Sequence, residues 1–437
     1  MAEPAVSSSA FADLELFPAQ GRVKRIHAGE IEADGPDLSV GAQCEILPAG
    51  GSAPPVRALV AAISDGRVVL VPFSPVGALK VGDRVLACAE GGRYPVGGAY
   101  GGRAIDALGR PIDGCGRIAA IHEPGEAIPP LDRIAPREKL VTGLRAVDGF
   151  LTLGRGQRVG IFAASGVGKS RLIGQVIDAA QCDRMVICLV GERGREVEEL
   201  WRQLGESGAR KRATLVAATS DESAPMRARA VDQALALAEY WRRRGEHVLL
   251  VVDSITRLAM ALREIGLVAG EPPTARAYTP NVFRELPRIV EHCGAARRGG
   301  SISALFTVLS ETDEADDPLV EIMKSLLDGH ILLSRALAQV GHFPAIDVTR
   351  SISRLFDGLV GAPQRDAARK CRGWLARYEE SRILIESGMY KAGSDPELDA
   401  AIGVRRDLNA FLTQGGDETS TFAATEAALI ALAGRHG

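Results

Sequence analysis

One stretch limits this chain more than any other: an apolar strand, a loop of small residues, Lys169-Ser170, and then an amphipathic helix, all between Gln157 and Ile177. Phosphate oxygens need many N–H donors at close range, and side chains larger than Gly or Ala would block the approach. A helix N-terminus at the end of such a loop adds its positive dipole end. The spacing therefore predicts a nucleotide phosphate cradle built from Ala164, Ser165, Gly166, Val167, Gly168, Lys169, Ser170 and Arg171. Lys169 is placed to reach the β- and γ-phosphates of ATP, and the Ser170 hydroxyl to bind Mg²⁺. Ala163 occupies the first Gly position of the usual GxxxxGK(S/T) pattern. If that position needs positive φ, alanine is strained there; if it needs only smallness, alanine serves.

Two further apolar runs end in carboxylates. Met185–Val190 leads into Gly191-Glu192-Arg193, and His247–Val252 leads into Asp253. Carboxyl ends of parallel strands are where α/β sheets bind ligands. Glu192 there could orient and deprotonate a water, or it could be a surface residue capping a loop. Asp253 has the form of a Walker B carboxylate, which holds Mg²⁺ through its water shell; the bland alternative is a cap on the following helix.

Around this core the organisation is α/β. Residues 96–355 alternate strand-like and helix-like runs, which reads as an α/β domain with a mainly parallel sheet. Residues 21–95 carry short Val- and Ile-rich runs separated by turns such as Ser64-Asp65-Gly66, which predicts a small N-terminal β-barrel. Residues 356–437 turn helical, with Cys371, Trp374, Leu375 and Tyr378 at helical spacing. Residues 1–20 hold a short apolar patch, Phe11, Leu14, Leu16 and Phe17, read as a flexible terminus or a partner-docking segment; no signal peptide is expected there.

Composition narrows the function classes. Net charge is −3 over 437 residues, and Phe73 is the only Phe, Tyr or Trp between residues 21 and 90. A nucleic-acid-binding barrel would need a basic face with stacking aromatics, so no nucleic-acid partner is expected. Seven scattered cysteines without CxxC spacing fit a reducing, cytoplasmic setting.

Together these stretches resemble the catalytic subunits of rotary ATP synthases and their relatives in type III secretion, which implies a RecA-like fold for residues 96–355. Gly191–Glu196 is similar to the family's catalytic-glutamate segment, and Pro272–Pro280 to its central loop. Asp328–Arg335, Phe343–Asp347 and Gly393–Asp399 resemble the protein-export branch, and Leu38–Ile46 the flagellar barrel. The resemblance implies that Glu192 activates water, that Arg193 lies near the γ-phosphate, and that Arg354 is an arginine finger reaching into the next subunit. It implies further that Phe343 stacks on adenine, with Tyr390 closing the other side of the base. Ala164 stands where most flagellar relatives have Gly.

The implied machine is a homohexamer performing Mg²⁺-dependent ATP hydrolysis for flagellar type III export. Its implied partners are a stator or regulator at residues 1–20, the export gate and chaperone–substrate complexes. Its implied place is cytoplasmic, peripheral at the inner-membrane export apparatus. The rivals are an injectisome ATPase, a rotary synthase catalytic subunit, an RNA translocase, and a nucleotide-gated scaffold without activity.

Overall fold

The computed structural model describes residues 20–27, 29–49, 53–88, 92–310 and 317–435. The partner-docking patch expected within 1–20 falls outside these residues.

The chain begins with six strands, β1 Gln20–His27, β2 Glu30–Ala33, β3 Gln43–Leu47, β4 Val56–Ser64, β5 Arg67–Pro72 and β6 Arg84–Ala87. They close into a barrel in the order β1-β2-β5-β4-β3-β6. Alternation of side chains across each strand sends Val23, Ile31, Cys44, Ile46, Val60, Leu70 and Val85 inward, where all are fully buried. Asp65 and Gly66, both at positive φ, make the two-residue turn that sets the β4–β5 register. Ala61 and Val71 on the barrel's outer surface pack on Ala224, Ala261 and Ile265, fastening it to the rest of the molecule.

The central sheet comprises β7 Ala104–Ile105, β8 Arg158–Ala163, β9 Arg184–Glu192, β10 Ala213–Thr219, β11 His247–Asp253, β12 Ser301–Leu309, β13 Gly329–Leu332 and β14 Ile352–Ser353. Their order is β14-β13-β8-β12-β11-β9-β10-β7, and along it every neighbouring pair is parallel except the antiparallel edge β13–β14; two short antiparallel strands, Arg133–Ile134 and Gly294–Ala296, join the sheet off this path at β12. Both faces are covered, so strands read as continuous apolar runs; Val248 to Val252 are all fully buried. Successive residues of β9 feed opposite cores, with Ile187 and Leu189 on one side and Val186, Cys188 and Val190 on the other.

Helices α1 Lys169–Ala179, α2 Gly194–Glu206, α3 Ala224–Arg242 and α4 Ile255–Val268 flank the sheet; α5 Ala362–Glu386, α6 Pro396–Leu412 and α7 Phe422–Arg435 form the C-terminal bundle. The first of the two cores runs without a break into that bundle, where Phe411 meets Phe150 edge to face, ring centroids 6.0 Å apart. Among the described residues, no helix is long and apolar enough to cross a membrane.

Candidate functional site

Strands β8, β12, β11 and β9 are neighbours, and their carboxyl ends gather the chemistry at one edge of the sheet. Ala163 is the last residue of β8 and lies in extended strand, so its position demands smallness and not positive φ. The left-handed turns of the loop fall at Gly166 (φ 79°) and Gly168 (φ 91°). Val167 is buried and anchors the loop in the core, while Ser165 and Gly166 face solvent. Lys169 and Ser170 then open α1.

The Lys169 ammonium rests against Asp253 Oδ1 and stands 3.6 Å from Glu192 Oε1. Thr307, on β12, donates its hydroxyl to the same Asp253 Oδ1 at 2.6 Å. The helix after Asp253 is capped by Ser254, whose hydroxyl accepts from Arg257 N, so the Asp253 carboxylate is free of capping and points into the site. Arg257, one turn into α4, brings its Nε to 3.4 Å from Glu192 Oε1. Two carboxylates thus share two cations. Glu192 is 7% exposed; burial pushes its carboxyl above the usual range, Lys169 pulls it back, Asp253 raises it and Arg257 lowers it.

Glu192 is aimed by its backbone. The pairing of β9 with β10 shifts between Val190 and Glu192, and Gly191 adopts φ 68°. A methyl group at Gly191 would come within 2.8 Å of Arg257 Cδ, so the same glycine permits both the turn and the arginine's approach.

Lys169, Glu192 and Asp253 are therefore brought together, with Ser170 next to Lys169. Arg193 is exposed at the start of α2. Arg354 is exposed at the sheet edge just after β14; its Nη2 donates to Lys324 O at 3.3 Å, and among the described residues it makes no contact with the Lys169 cluster. Phe343 stands beside the phosphate loop, where a methyl on Gly168 would approach its ring to 3.1 Å, and the Arg171 guanidinium lies 5.3 Å from its ring centroid. Tyr390, in the turn between α5 and α6, makes no ring contact with Phe343 among the described residues; its hydroxyl lies 2.9 Å from Asp399 Oδ1 in the first turn of α6. The segment after α6 approaches instead: Gln414 N donates to Phe343 O at 2.8 Å, and Gln175 Nε2 to Gly415 O at 2.7 Å.

The sequence reading missed Thr307, Arg257 and this Gln414–Glu418 segment. A hydroxyl in the otherwise apolar β12 was the one local sign of the first.

For Mg²⁺, the Ser170 hydroxyl and Asp253 carboxylate are hard oxygen donors of the right kind. Lys169 and Thr307 both address Oδ1 of Asp253, which leaves Oδ2 for a cation among the described residues. The donor set fits the ion.

Comparison with known proteins agrees in kind. Residues 143–353 match the ATP synthase alpha/beta family, nucleotide-binding domain, and residues 360–431 the T3SS EscN ATPase C-terminal domain. The chain is 43% identical over 427 residues to a "Flagellum-specific ATP synthase" of Bacillus subtilis, covering 96% of each. It is also 43% identical over 431 residues to a "Type 3 secretion system ATPase" of Sinorhizobium fredii, covering 97% of this chain and 94% of that one. The assembled ATPase EscN of enteropathogenic E. coli superposes with a TM-score of 0.89 at 38% identity, covering 94% of this chain and all of EscN. EscN in complex with its central stalk EscO gives 0.85 at 37% identity, again covering 94% of this chain and all of EscN.

Proposed function

Since this chain belongs to the ATP synthase alpha/beta family, in the branch of the flagellar and type III secretion ATPases, we propose that it is a ring-forming ATPase driving flagellar type III protein export. The observation that carries this reading is the meeting of Lys169, Asp253 and Glu192 at the carboxyl edge of the sheet, beside a glycine-turned loop. Lys169 leaves Asp253 to hold the β- and γ-phosphates of ATP. Glu192, held by Arg257, accepts a proton from the water that attacks the γ-phosphate, in-line with the leaving oxygen. Ser170 and Asp253 would hold Mg²⁺, which would supply charge neutralisation to the nucleotide's phosphates. Arg193 lies one residue beyond Glu192, on the solvent side, where it steadies the γ-phosphate.

Arg354 is exposed and donates to Lys324 O rather than to the Lys169 cluster, which supports its acting on a neighbour's site. Each chain carries both halves of a site, so identical copies complete every interface of a closed ring. The assembled EscN structure supports that ring, and the EscN–EscO complex supports a stalk-like regulator as partner. Residues 1–20 are read as a flexible or partner-docking segment, 21–95 as the barrel, 96–355 as the ATPase domain and 356–437 as the helical domain. The export gate and chaperone–substrate complexes are the further partners, met at the cytoplasmic face of the inner membrane. Flagellar use is favoured over injectisome use by the barrel segment Leu38–Ile46.

Phosphate release by the purified chain tests the reading: Mg²⁺-dependent turnover that disappears in Glu192→Gln supports it, and turnover unaffected by that change overturns it.

A further inference from the structure

The aromatic platform beside the phosphate loop already has an occupant. The Arg171 guanidinium lies over the Phe343 ring, 5.3 Å from its centroid, close enough for cation–π attraction. The same guanidinium also lies beside the segment after α6, where a methyl on Gly416 would come within 3.4 Å of Arg171 Nη2. Both walls are fixed. Gln414 joins the segment to Phe343 O through its own N–H, and its Nε2 lies 2.8 Å from Gly143 O; Gln175 holds Gly415 O from α1, and Arg145 pairs with Glu418. Of the groups bordering this slot, Arg171 alone is a long, solvent-facing side chain without an ion pair among the described residues. Hydrogen bonds hold the walls, and the Arg171 guanidinium takes part in none of them.

We propose that Arg171 is a base-selecting residue and that it admits 6-oxopurine nucleotides, GTP and ITP, to the site alongside ATP. This rests on the reading of Phe343 as the surface on which the base stacks. A purine taking the covered face of Phe343 displaces the guanidinium to the edge of the base, where its planar fork presents two parallel N–H donors. Guanine and hypoxanthine offer two acceptors along one edge, N7 and O6, and take both. Adenine offers N7 and, beside it, the N6 amino donor, so only one of the two hydrogen bonds forms and the second N–H faces another donor. A lysine or an apolar residue at 171 would lack this discrimination: one is a point charge, the other has no donor.

The test measures dissociation constants for ATP, GTP and ITP with the full chain and with Arg171→Ala and Arg171→Lys, alongside Lys169→Ala. Arg171 is exposed at the surface end of α1, and melting curves check that each variant is folded. The expected result is that both Arg171 variants shift the GTP-to-ATP affinity ratio toward ATP on the order of tenfold, as a bidentate pair would. ITP should follow GTP, because it shares N7 and O6 and lacks the 2-amino group. If Arg171→Ala weakens all three nucleotides by one common factor, or Arg171→Lys keeps the wild-type ratio, the residue acts through charge on the phosphates and the proposal is overturned. If Lys169→Ala binds all three nucleotides as the wild type does, the reading of the site itself falls, independently of Arg171.

Discussion

Thr307 donates its hydroxyl to Asp253 Oδ1 at 2.6 Å, across the parallel pair β11–β12. The contact fixes which oxygen of Asp253 faces the Lys169 ammonium and which is left for a cation. Thr307→Val keeps the shape and removes the donor. We expect the Mg²⁺ concentration for half-maximal turnover to rise about 10- to 100-fold, the usual effect of losing a hydrogen bond to a metal-binding group. A Mg²⁺ titration of the rate, with melting curves to show the fold intact, checks it.

The Lys169 ammonium is the shared counter-ion of two buried carboxylates. Lys169→Ala removes it and should abolish turnover. Without nucleotide it should also lower stability by about 3 kcal/mol near neutral pH, since a buried charge loses its partner. That loss should shrink on acidification as the Glu192 carboxylate, raised by burial, protonates. Urea denaturation at two pH values reads both effects.

Burial holds the Glu192 carboxyl above its ordinary range, with Lys169 and Arg257 opposing and Asp253 adding to the rise. A base must be ionised to take a proton, so turnover should climb with pH through that elevated value. The stability contribution has the opposite sense. With a folded value above the unfolded one, Glu192 favours the fold most below the ordinary carboxylate range, and this is lost as pH rises through its folded value. Glu192→Gln should flatten the stability change over that window and leave no acid limb in any residual rate. Rate and melting temperature against pH, for both proteins, provide the comparison.

Gly191 sits at φ 68° with Arg257 Cδ where a methyl group would go. Gly191→Ala should therefore cost about 1–2 kcal/mol and displace either Glu192 or Arg257. We expect kcat to fall more than KM changes, because the phosphate loop itself is untouched. A fall in nucleotide affinity with kcat preserved would contradict this placement of Gly191.

The sequence announced those parts of the site that are tied to their own local pattern. Lys169 and Ser170 follow a small-residue loop, and Glu192 and Asp253 each end a continuous apolar run, so strand-then-carboxylate was readable without the sheet order. The barrel was legible for the same reason, since period-two runs and the Asp65-Gly66 turn are local signals. Thr307 and Arg257 were not, because their partners are chosen by which strands become neighbours and in what register, and no short stretch encodes that. Tyr390 illustrates the opposite case. The resemblance pointed it at the base, but its hydroxyl bonds Asp395 O and Asp399 Oδ1 at the start of α6, and the segment beside Phe343 is Gln414–Glu418. Gly415 and Gly416 carry no side-chain signature by which a slot wall could be recognised.

If one copy's Glu192 works with a second copy's Arg354, two variants that are inactive alone should rescue each other when mixed. Glu192→Gln lacks the base and Arg354→Ala lacks the finger, so each alone should release almost no phosphate. In rings assembled from equal amounts of both, one interface in four joins an intact Glu192 to an intact Arg354. The mixture should then recover up to roughly a quarter of the wild-type rate. A mixture as inactive as its components, or an Arg354→Ala protein that turns over normally by itself, would contradict the account.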